Sequence, residues 1–372
     1  MRIAVPKETT PGERRVALVP DTVRRMVKAG LDVTIQRGAG AEAGLGDDLY
    51  TGAGATVAPD LAAAVGQADL VLRVQPPPLQ EIDLLKAGAA VVGFMQPAAS
   101  GDLFAHMAQR KVGGFAMELV PRITKAQSMD ALSSQATIAG YKAVLLGASH
   151  LGKLLPMLTT AAGTLAPAKV FIIGAGVAGL QAIATARRLG GVVSAFDVRA
   201  VVKEQVESLG AIFVEAEAVS QEAEDSGGYA KELAAEQQRK VLEAIGNHVP
   251  GMDLIITTAQ IPGKPAPKLI TDAMVKSMQA GSVIVDLASE TGGNCELTRA
   301  GETVTGHGVT ILGPANLPAS VPIHASQMYS RNLSTFVDAV TKEGALHIDL
   351  DDSVVGPMCV TYNGTVRFGR TA

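Results

Sequence analysis

The 372-residue chain lacks the sequence features of a membrane-spanning or nucleic-acid-binding protein. No uncharged apolar run reaches about 18 residues, so no segment is expected to span a bilayer. The N-terminal apolar run is short and is followed by a proline and charges, which argues against a signal peptide. The formal net charge is −4, which provides no basic surface for a nucleic acid. We therefore expect neither a nucleic-acid partner nor direct membrane insertion.

Motifs for metal binding and for covalent catalysis are also missing. The two cysteines, Cys295 and Cys359, lack metal-ligand spacing and are expected to be buried thiols in a reducing cytoplasm. The six histidines form no pair at metal-binding spacing. No nucleophile elbow is present, so a Ser, Cys or Thr nucleophile is not indicated.

Short β-type runs alternate with helical patterns along nearly the whole chain, which predicts βαβ units around parallel sheets. A helical stretch at 133–147 separates two such halves, and another at 321–340 precedes a short β-like tail. The predicted strands are 3–5, 33–36, 70–74, 91–95 and 114–117 in the first half and 170–173, 192–196, 253–257, 282–286 and 309–312 in the second.

The predicted fold class is α/β, with two Rossmann-like doubly wound parallel-sheet domains separated by a cleft. Residues 1–130 and 320–372 are assigned to the first domain, which is discontinuous because the tail is expected to return to it. Residues 131–319 are assigned to the second domain.

The second domain contains a dinucleotide-binding fingerprint in its full context of strand, glycines, helix and strand, so residues 131–319 are predicted to bind NAD(H). In the sequence G-A-G-V-A-G, Gly174 allows a tight turn and Gly176 allows the backbone to approach a pyrophosphate. Gly179 allows the helix to pack closely on the strand, and the helix N-terminus offers unpaired N–H groups to the phosphates. The first half contains no such fingerprint, so we expect it to bind no dinucleotide phosphate.

Asp197 stands at the end of the second strand, where an acidic residue accepts hydrogen bonds from a ribose 2′-hydroxyl. It would repel a 2′-phosphate, so the site is predicted to prefer NAD(H) over NADP(H). Arg199 lies two residues further on and could instead meet a 2′-phosphate, but Asp197 is expected to dominate.

Three polar segments admit two interpretations each. Residues 121–135 contain Arg122, Gln127 and Asp130, which suit a carboxamide, but Asp130 or Ser133 would equally suit a helix N-cap. The loop at 259–268 could contact the cofactor through Ala259 and Gln260, or its prolines could form a rigid connector. The acidic stretch from 215 to 229 is either a solvated loop or a lid, and the composition alone favours the loop.

Several motifs resemble the family shared by alanine dehydrogenases and the alpha chain of proton-translocating NAD(P) transhydrogenase. They are V-P-K-E-T-T-P-G-E-R-R-V-A-L-V-P near the N-terminus, the fingerprint with its D-V-R, I-P-G-K-P-A-P, and E-x-G-G-N-C at 290–295. The segments P-R-I-T-K-A-Q-S-M-D-A-L-S-S-Q and G-G-Y-A-K-E resemble the transhydrogenase branch specifically.

Two departures from alanine dehydrogenases favour the transhydrogenase branch. The dehydrogenases have Lys where this chain has Arg73 and His where it has Gln96. Reductive amination needs such groups to move protons, whereas hydride transfer between two nicotinamides moves no proton at the reacting carbons. Arg15 occupies the position of the family's carboxylate-binding Arg, so the dehydrogenase alternative is weakened but stays open.

The resemblance implies roles for individual residues. Arg122, Gln127, Asp130 and Ser133 would line the nicotinamide end of NAD(H), and Gln127 would help to hold the ring and the incoming second nucleotide. Tyr229 would lie on a mobile lid, which favours the lid interpretation of 215–229. The adenosine and pyrophosphate would be surrounded by Val177, Asp197, Val198, Arg199, Gly228 and Gln260.

The resemblance also implies the partners. The chain would form a homodimer and pass hydride from NADH to NADP⁺, with the NADP(H) held on a partner subunit. Membrane-spanning subunits would couple the transfer to proton translocation. The chain would be cytoplasmic and peripheral, held on the inner face of the cell membrane through those partners. The alternatives are an NAD-dependent oxidoreductase similar to alanine dehydrogenase and a non-catalytic NAD-sensing module.

Overall fold

A computed structural model describes residues 1–215, 235–261 and 263–369. The chain divides into two compact units: unit 1 comprises Met1–Gln135 and Pro318–Ala372, and unit 2 comprises Ala136–Leu317. Each unit is an α/β structure around a mainly parallel sheet, so the predicted fold class is confirmed. In the described ranges, no helix is both long and apolar enough to cross a membrane.

The strands of unit 1 come from both ends of the chain. They are β1 (Arg2–Val5), β2 (Asp32–Gln36), β3 (Thr56–Ala58), β4 (Leu70–Leu72), β5 (Ala90–Gly93), β6 (Gly113–Ala116), β16 (Thr341–Lys342), β17 (Ala345–Leu346), β18 (Cys359–Tyr362) and β19 (Thr365–Val366). The sheet has the order β19-β18-β6-β5-β4-β1-β2-β3, and the pairs from β6 to β3 are all parallel. The C-terminal strand β18 adds to β6 in antiparallel orientation, and β19 pairs with β18. A separate hairpin joins β16 to β17.

Both faces of this sheet are apolar because successive side chains point to opposite faces and each face packs against its own core. Ile3 and Val5 of β1 belong to one core cluster, and Ala4 between them belongs to another. The α-helices are α1 (Pro20–Lys28), α2 (Asp47–Gly52), α3 (Leu61–Val65), α4 (Leu79–Leu84), α5 (Gly101–Gln109), the start of α6 (Ala131–His150), α11 (Pro322–Ala339) and α12 (Val355–Met358).

Two strands of unit 1 end earlier than the apolar runs predict. The run at 70–74 stops as a strand at Leu72, because the Val74 amide donates to the Glu8 carboxylate at 2.6 Å. The run at 91–95 stops as a strand at Gly93: the Phe94 amide still donates to the Val74 carbonyl, but the amides of Met95 and Gln96 donate to the Glu118 carboxylate. Carboxylates therefore replace strand partners at the carboxyl edge of the sheet.

The strands of unit 2 form one sheet and one separate hairpin. They are β7 (Leu158–Thr160), β8 (Gly163–Leu165), β9 (Lys169–Ile173), β10 (Val192–Phe196), β11 (Ile212–Phe213), β12 (Leu254–Thr257), β13 (Val283–Asp286), β14 (Thr303–Gly306) and β15 (Val309–Leu312). The sheet has the order β11-β10-β9-β12-β13-β15-β14, parallel except for the antiparallel edge strand β14. The interior strand β9, between β10 and β12, is the fingerprint strand, and its residues from Val170 to Ile173 are fully buried. The exposed hairpin, β7 with β8, lies outside this sheet and was not predicted.

The long helix α6 runs further in both directions than the predicted 133–147. The other α-helices of unit 2 are α7 (Val177–Arg188), α8 (Lys203–Ser208), α9 (Ala235–His248) and α10 (Asp272–Ser277). Within unit 2, α6 packs tightly on α7, since an added Cβ on Gly140 would lie 2.1 Å from the Ala178 carbonyl oxygen.

Candidate functional site

The strand order of unit 2 brings three loops to one edge of its sheet. The chain passes from β9 to β10 and β11 on one side and then returns to form β12 on the other side of β9. The carboxyl ends of β10, β9 and β12 are therefore adjacent, with a topological switch point between β9 and β12. Ligands of doubly wound sheets bind at such a point.

The glycine loop after β9 has the geometry that its sequence predicts. Gly174 has φ +96°, a conformation that L side chains rarely adopt, and an added Cβ would lie 2.5 Å from the Thr258 hydroxyl. An added Cβ on Gly179 would lie 1.8 Å from the Gly174 carbonyl oxygen, so the close packing of helix on strand requires glycine.

The loop leads directly into the first turn of α7. Gly176 is the N-cap residue, the helix begins at the exposed Val177, and the Leu180 amide makes the first helical hydrogen bond to the Gly176 carbonyl. An added Cβ on Gly176 would have, among the described residues, only the Arg199 guanidinium within 4 Å, at 3.9 Å. As far as the described ranges extend, the glycine loop is therefore uncrowded beside the N-terminus of α7, where a phosphate would bind.

The loop after β10 contains a buried ion pair. Asp197 is 5% exposed and accepts four hydrogen bonds. Its Oδ2 accepts the Ala175 amide at 2.7 Å and Nη2 of Arg199 at 2.9 Å. Its Oδ1 accepts the amide of Arg199 at 2.9 Å and Nε of the same residue at 3.0 Å. The acidic residue of the fingerprint thus bridges the glycine loop and Arg199.

The loop after β12 is fixed by two side chains. Thr258 donates from its hydroxyl to the Gly174 carbonyl at 3.0 Å, which ties this loop to the glycine loop. The buried Asn294 accepts the Ala259 amide at 3.1 Å and donates to the Ala259 carbonyl at 2.9 Å. It also donates to the Pro267 carbonyl at 2.8 Å. Gln260 follows Ala259 with an exposed side chain that donates to the Leu287 carbonyl at 3.3 Å.

The chain segment that follows Asn294 is fixed by Asp286, the last residue of β13. Oδ2 of Asp286 accepts the Cys295 amide at 3.0 Å and the Thr298 hydroxyl at 2.7 Å. Its Oδ1 accepts the Thr257 hydroxyl at 2.9 Å and the Ala288 amide at 3.0 Å. In the sequence, the run 290–295 is notable only for its family resemblance, so this structural role of Asn294 was missed.

The residues predicted for the nicotinamide end lie in unit 1. Arg122 and Gln127 are exposed, and Gln127 belongs to a short turn, Thr124–Met129, anchored by the buried Ala126 and Met129. Asp130 precedes helix α6 and accepts the amide of Ser133 at 2.9 Å and its hydroxyl at 2.6 Å. Asp130 therefore forms the helix N-cap, which was one of the two interpretations of this segment. Its contact with the nicotinamide end of NAD(H) stays a prediction.

Some residues of the predicted site lie outside the described ranges. These are Gly228, Tyr229 and all of the acidic stretch after Glu215. Within the portion of the chain that the structure does describe, no group of three or more His, Cys, Asp or Glu side chains could hold a metal ion.

Two family models match the chain: "Alanine dehydrogenase/PNT, N-terminal domain" over residues 4–139 and "Alanine dehydrogenase/PNT, C-terminal domain" over residues 143–369. The chain belongs to the alanine dehydrogenase/PNT family. The resemblance predicted from the motifs is thereby confirmed.

Individual members of the alanine dehydrogenase/PNT family differ in their similarity to this chain. An NAD(P) transhydrogenase alpha-subunit chain of Rhodospirillum rubrum is 48% identical, covering 98% of this chain and 97% of that protein. The crystal structure of transhydrogenase from Sinorhizobium meliloti is 44% identical with a TM-score of 0.90, covering 99% of this chain and 100% of that one. An L-alanine dehydrogenase structure is 28% identical with a TM-score of 0.83, covering 98% and 96%.

Arg73 and Gln96, the two positions at which the sequence is expected to depart from alanine dehydrogenases, lie at the carboxyl edge of the unit 1 sheet. Arg73 is 1% exposed; its Nη2 donates to Glu8 at 2.8 Å, and its Nη1 donates to Glu81. Gln96 is exposed, has φ +48°, and its amide donates to Glu118 at 2.7 Å.

Burial and the neighbouring charges together shift the pKa values of Arg73, Glu8 and Glu81. Burial disfavours the charged guanidinium, but the adjoining carboxylates outweigh this effect and raise the pKa of Arg73. Burial raises the pKa of Glu8, and it raises the pKa of Glu81 to about 7 although Arg73 opposes it. Among the described residues, Nε of Arg73 and Oε1 of Glu81 are buried without a hydrogen-bond partner. This cluster was not predicted from the sequence.

A second buried ion pair lies in unit 1. Arg15 donates from Nε and Nη2 to the two carboxylate oxygens of Glu13, at 2.8 and 2.7 Å, and from Nη1 to Gln135 at 2.9 Å. Burial opposes ionisation of Glu13, but Arg15 outweighs it and lowers the pKa of Glu13 to about 2. The guanidinium of Arg15 is thus held by two side chains of unit 1, Glu13 and Gln135.

Proposed function

We propose that this chain is the NAD(H)-binding subunit of a proton-translocating NAD(P) transhydrogenase. It would exchange hydride between its own NAD(H) and NADP(H) bound to a partner subunit. The observation that supports this proposal is the complete dinucleotide fingerprint, in which the glycine loop is bonded to Asp197. The chain is also 48% identical to a protein named as an NAD(P) transhydrogenase alpha subunit.

The residues of unit 2 fit the phosphate and adenosine end of NAD(H). Gly174, Gly176 and Gly179 would let the pyrophosphate reach the first turn of α7 next to Val177. The loop after β10 would receive the ribose through the carboxylate of Asp197, beside Val198 and Arg199. Gln260 would border the cofactor on the side of β12, and Gly228 and Tyr229 would close over it.

The residues of unit 1 would position the nicotinamide end. Gln127 offers an amide N–H₂ and an amide oxygen, which match the donor and acceptor of a carboxamide. It stands on a turn whose buried anchors, Ala126 and Met129, restrict its backbone. Arg122, Asp130 and Ser133 would complete this end of the site. Bound NADH supplies the hydride, and these side chains would hold its ring in register with the acceptor ring.

The alternative activity, reductive amination, needs groups that exchange protons near neutral pH. At the position of Arg73, the guanidinium is buried against two carboxylates, and its own pKa is raised. At the position of Gln96, the side-chain amide does not titrate. Neither group is suited to proton exchange with an oxo acid. This geometry favours the transhydrogenase function over the alanine dehydrogenase function.

The proposed assembly is a homodimer that joins an NADP(H)-binding subunit and membrane-spanning subunits. A cytoplasmic location, peripheral to the inner face of the cell membrane, follows from those partners. The exposed hairpin of β7 and β8, with the residue that precedes it, supports self-association, because Met157 is 63% exposed and Leu165 is 56% exposed. Apolar side chains clustered at a surface commonly mark a protein interface.

Hydride transfer from NADH to an NADP⁺ analogue, with and without the NADP(H)-binding domain of a transhydrogenase, tests the proposal. Parallel reactions would replace the acceptor with pyruvate and ammonia. We expect transfer only when the domain is added. An Asp197→Ala variant, which loses the ribose acceptor, should need more NADH for the same rate.

Two results would contradict the proposal. Turnover of pyruvate by the chain alone would identify an alanine dehydrogenase. Binding of NADH without transfer to any acceptor or partner would identify a non-catalytic NAD-binding module.

A further inference from the structure

The ion pair with Arg199 occupies the carboxylate of Asp197, which is the group expected to accept hydrogen bonds from the ribose. A carboxylate has about four lone-pair positions, and the four donors described above fill them. Two of these donors, Nε and Nη2, belong to the guanidinium of Arg199 and bind the two oxygens side by side. A ribose hydroxyl can therefore bond to Asp197 only if this guanidinium gives up a contact.

The guanidinium lies where it can affect a bound nucleotide. Its Nη2 is 3.9 Å from the position that a Cβ on Gly176 would occupy, so it borders the open side of the glycine loop. The side chain is 13% exposed, and its partner Asp197 is 6% exposed. Within a partly buried site, a planar guanidinium that leaves a carboxylate keeps the fork geometry suited to a phosphate.

We propose that Arg199 is a specificity-determining residue, which competes with ribose for Asp197 and weakens the discrimination against 2′-phosphorylated dinucleotides. The inference rests on the proposed NAD(H) site and concerns how strictly that site excludes NADP(H). A 2′-hydroxyl can bond to Asp197 after displacing the guanidinium. A 2′-phosphate is repelled by Asp197 but attracted by the displaced Arg199, so the two residues have opposite effects on NADP(H).

The test is the ratio of two dissociation constants, that of NADPH divided by that of NADH, measured by the fluorescence of the reduced nicotinamide. Removal of the cation in Arg199→Gln should raise this ratio about ten-fold, which corresponds to the loss of one charge-assisted hydrogen bond to the 2′-phosphate. Asp197→Ser, which leaves Arg199 in place, should lower the ratio below that of the unmodified chain. Asp197→Ser should bind NADPH more tightly than the unmodified chain does, and the double variant Asp197→Ser, Arg199→Gln should lose this gain in NADPH affinity.

Lys203→Gln provides the matched control. Lys203 is a partly exposed cation on α8 whose ion-pair partner is Glu215 rather than Asp197. Its removal lowers the local positive charge by the same amount as Arg199→Gln. The ratio should stay at the value of the unmodified chain, which would separate the specific contact from general electrostatic attraction.

Two results would overturn the inference. If Arg199→Gln changes both dissociation constants by the same factor, Arg199 only orients Asp197, and the inference fails while the proposed function stands. If the unmodified chain binds neither nucleotide, the proposed function and the inference fail together. Gln at position 199 keeps a side-chain N–H donor for the buried carboxylate of Asp197, and circular dichroism of each variant would establish that it is folded before its dissociation constants are compared.

Discussion

Truncation of Asn294 to Ala should destabilise unit 2 by about 3 kcal/mol. The side chain makes three hydrogen bonds to the backbone, one accepted from Ala259 and two donated to Ala259 and Pro267. Each neutral hydrogen bond contributes about 1 kcal/mol to stability, and buried groups left without a partner make the loss larger. Asn294 is fully buried, so the loop that it holds would have to move before water could replace these bonds.

Urea unfolding followed by circular dichroism would measure the loss of stability, and amide hydrogen exchange would locate it. The Ala259 amide should exchange faster in Asn294→Ala, because it loses its acceptor. NADH affinity should also fall, because the loop of Thr258, Ala259 and Gln260 would no longer be fixed beside the glycine loop.

Val275→Ala is a suitable control for general destabilisation. Val275 is a buried apolar residue of α10 in the same unit, and its truncation should cost about 2 kcal/mol through lost packing rather than lost hydrogen bonds to this loop. We expect normal NADH affinity in this variant at temperatures where it stays folded. A loss below about 0.5 kcal/mol in Asn294→Ala, with unchanged exchange at Ala259, would refute the role assigned to these hydrogen bonds.

Three further predictions concern pH sensitivity, hydride transfer and self-association. Because burial raises the pKa of Glu81 from 4.5 to about 7, the folded chain holds a proton in this window that the unfolded chain releases. The free energy of unfolding should therefore fall as the pH rises from about 4.5 to about 7. Urea unfolding at several pH values should show that Glu81→Gln makes this fall smaller by about 3 kcal/mol. An equally steep fall in the variant would contradict this prediction. Gln127→Asn should slow partner-dependent transfer far more than it weakens NADH binding, and equal losses would argue against ring positioning. The double variant Met157→Ser, Leu165→Ser should sediment as a monomer that still binds NADH, whereas a persistent dimer would rule out the hairpin as the interface.

The sequence predicts features of unit 2 that depend on residues close together in the chain. The spacing of Gly174, Gly179 and Asp197 within one βαβ unit was enough to predict their turn, packing and placement. The ends of strands were less predictable, because their partners come from distant segments. Val74, for example, bonds to Glu8, which lies 66 positions earlier in the chain.

Contacts set by the order of strands could not be predicted from the sequence. Glu8, Arg73 and Glu81 meet only because β1 and β4 are neighbours in the sheet, and nothing in their local sequence indicates a shared buried charge. Asn294 follows a different strand from the loop that it holds. The sequence did place Arg199 near the cofactor, but the guanidinium's bond to both oxygens of Asp197 required the structure.

The contact between Gly174 and Gly179 divides the nucleotide site into a region that sequence change can adjust and a region that it cannot. The two residues meet through backbone atoms, so no exchange of side chains at other positions can restore the contact once a Cβ is added. At the phosphate end of the site, positions 174 and 179 therefore tolerate almost no residue other than glycine. Changes in affinity and nucleotide preference must arise in the loops after β10 and β12, where Asp197, Arg199 and Gln260 contribute side chains that can be replaced one at a time.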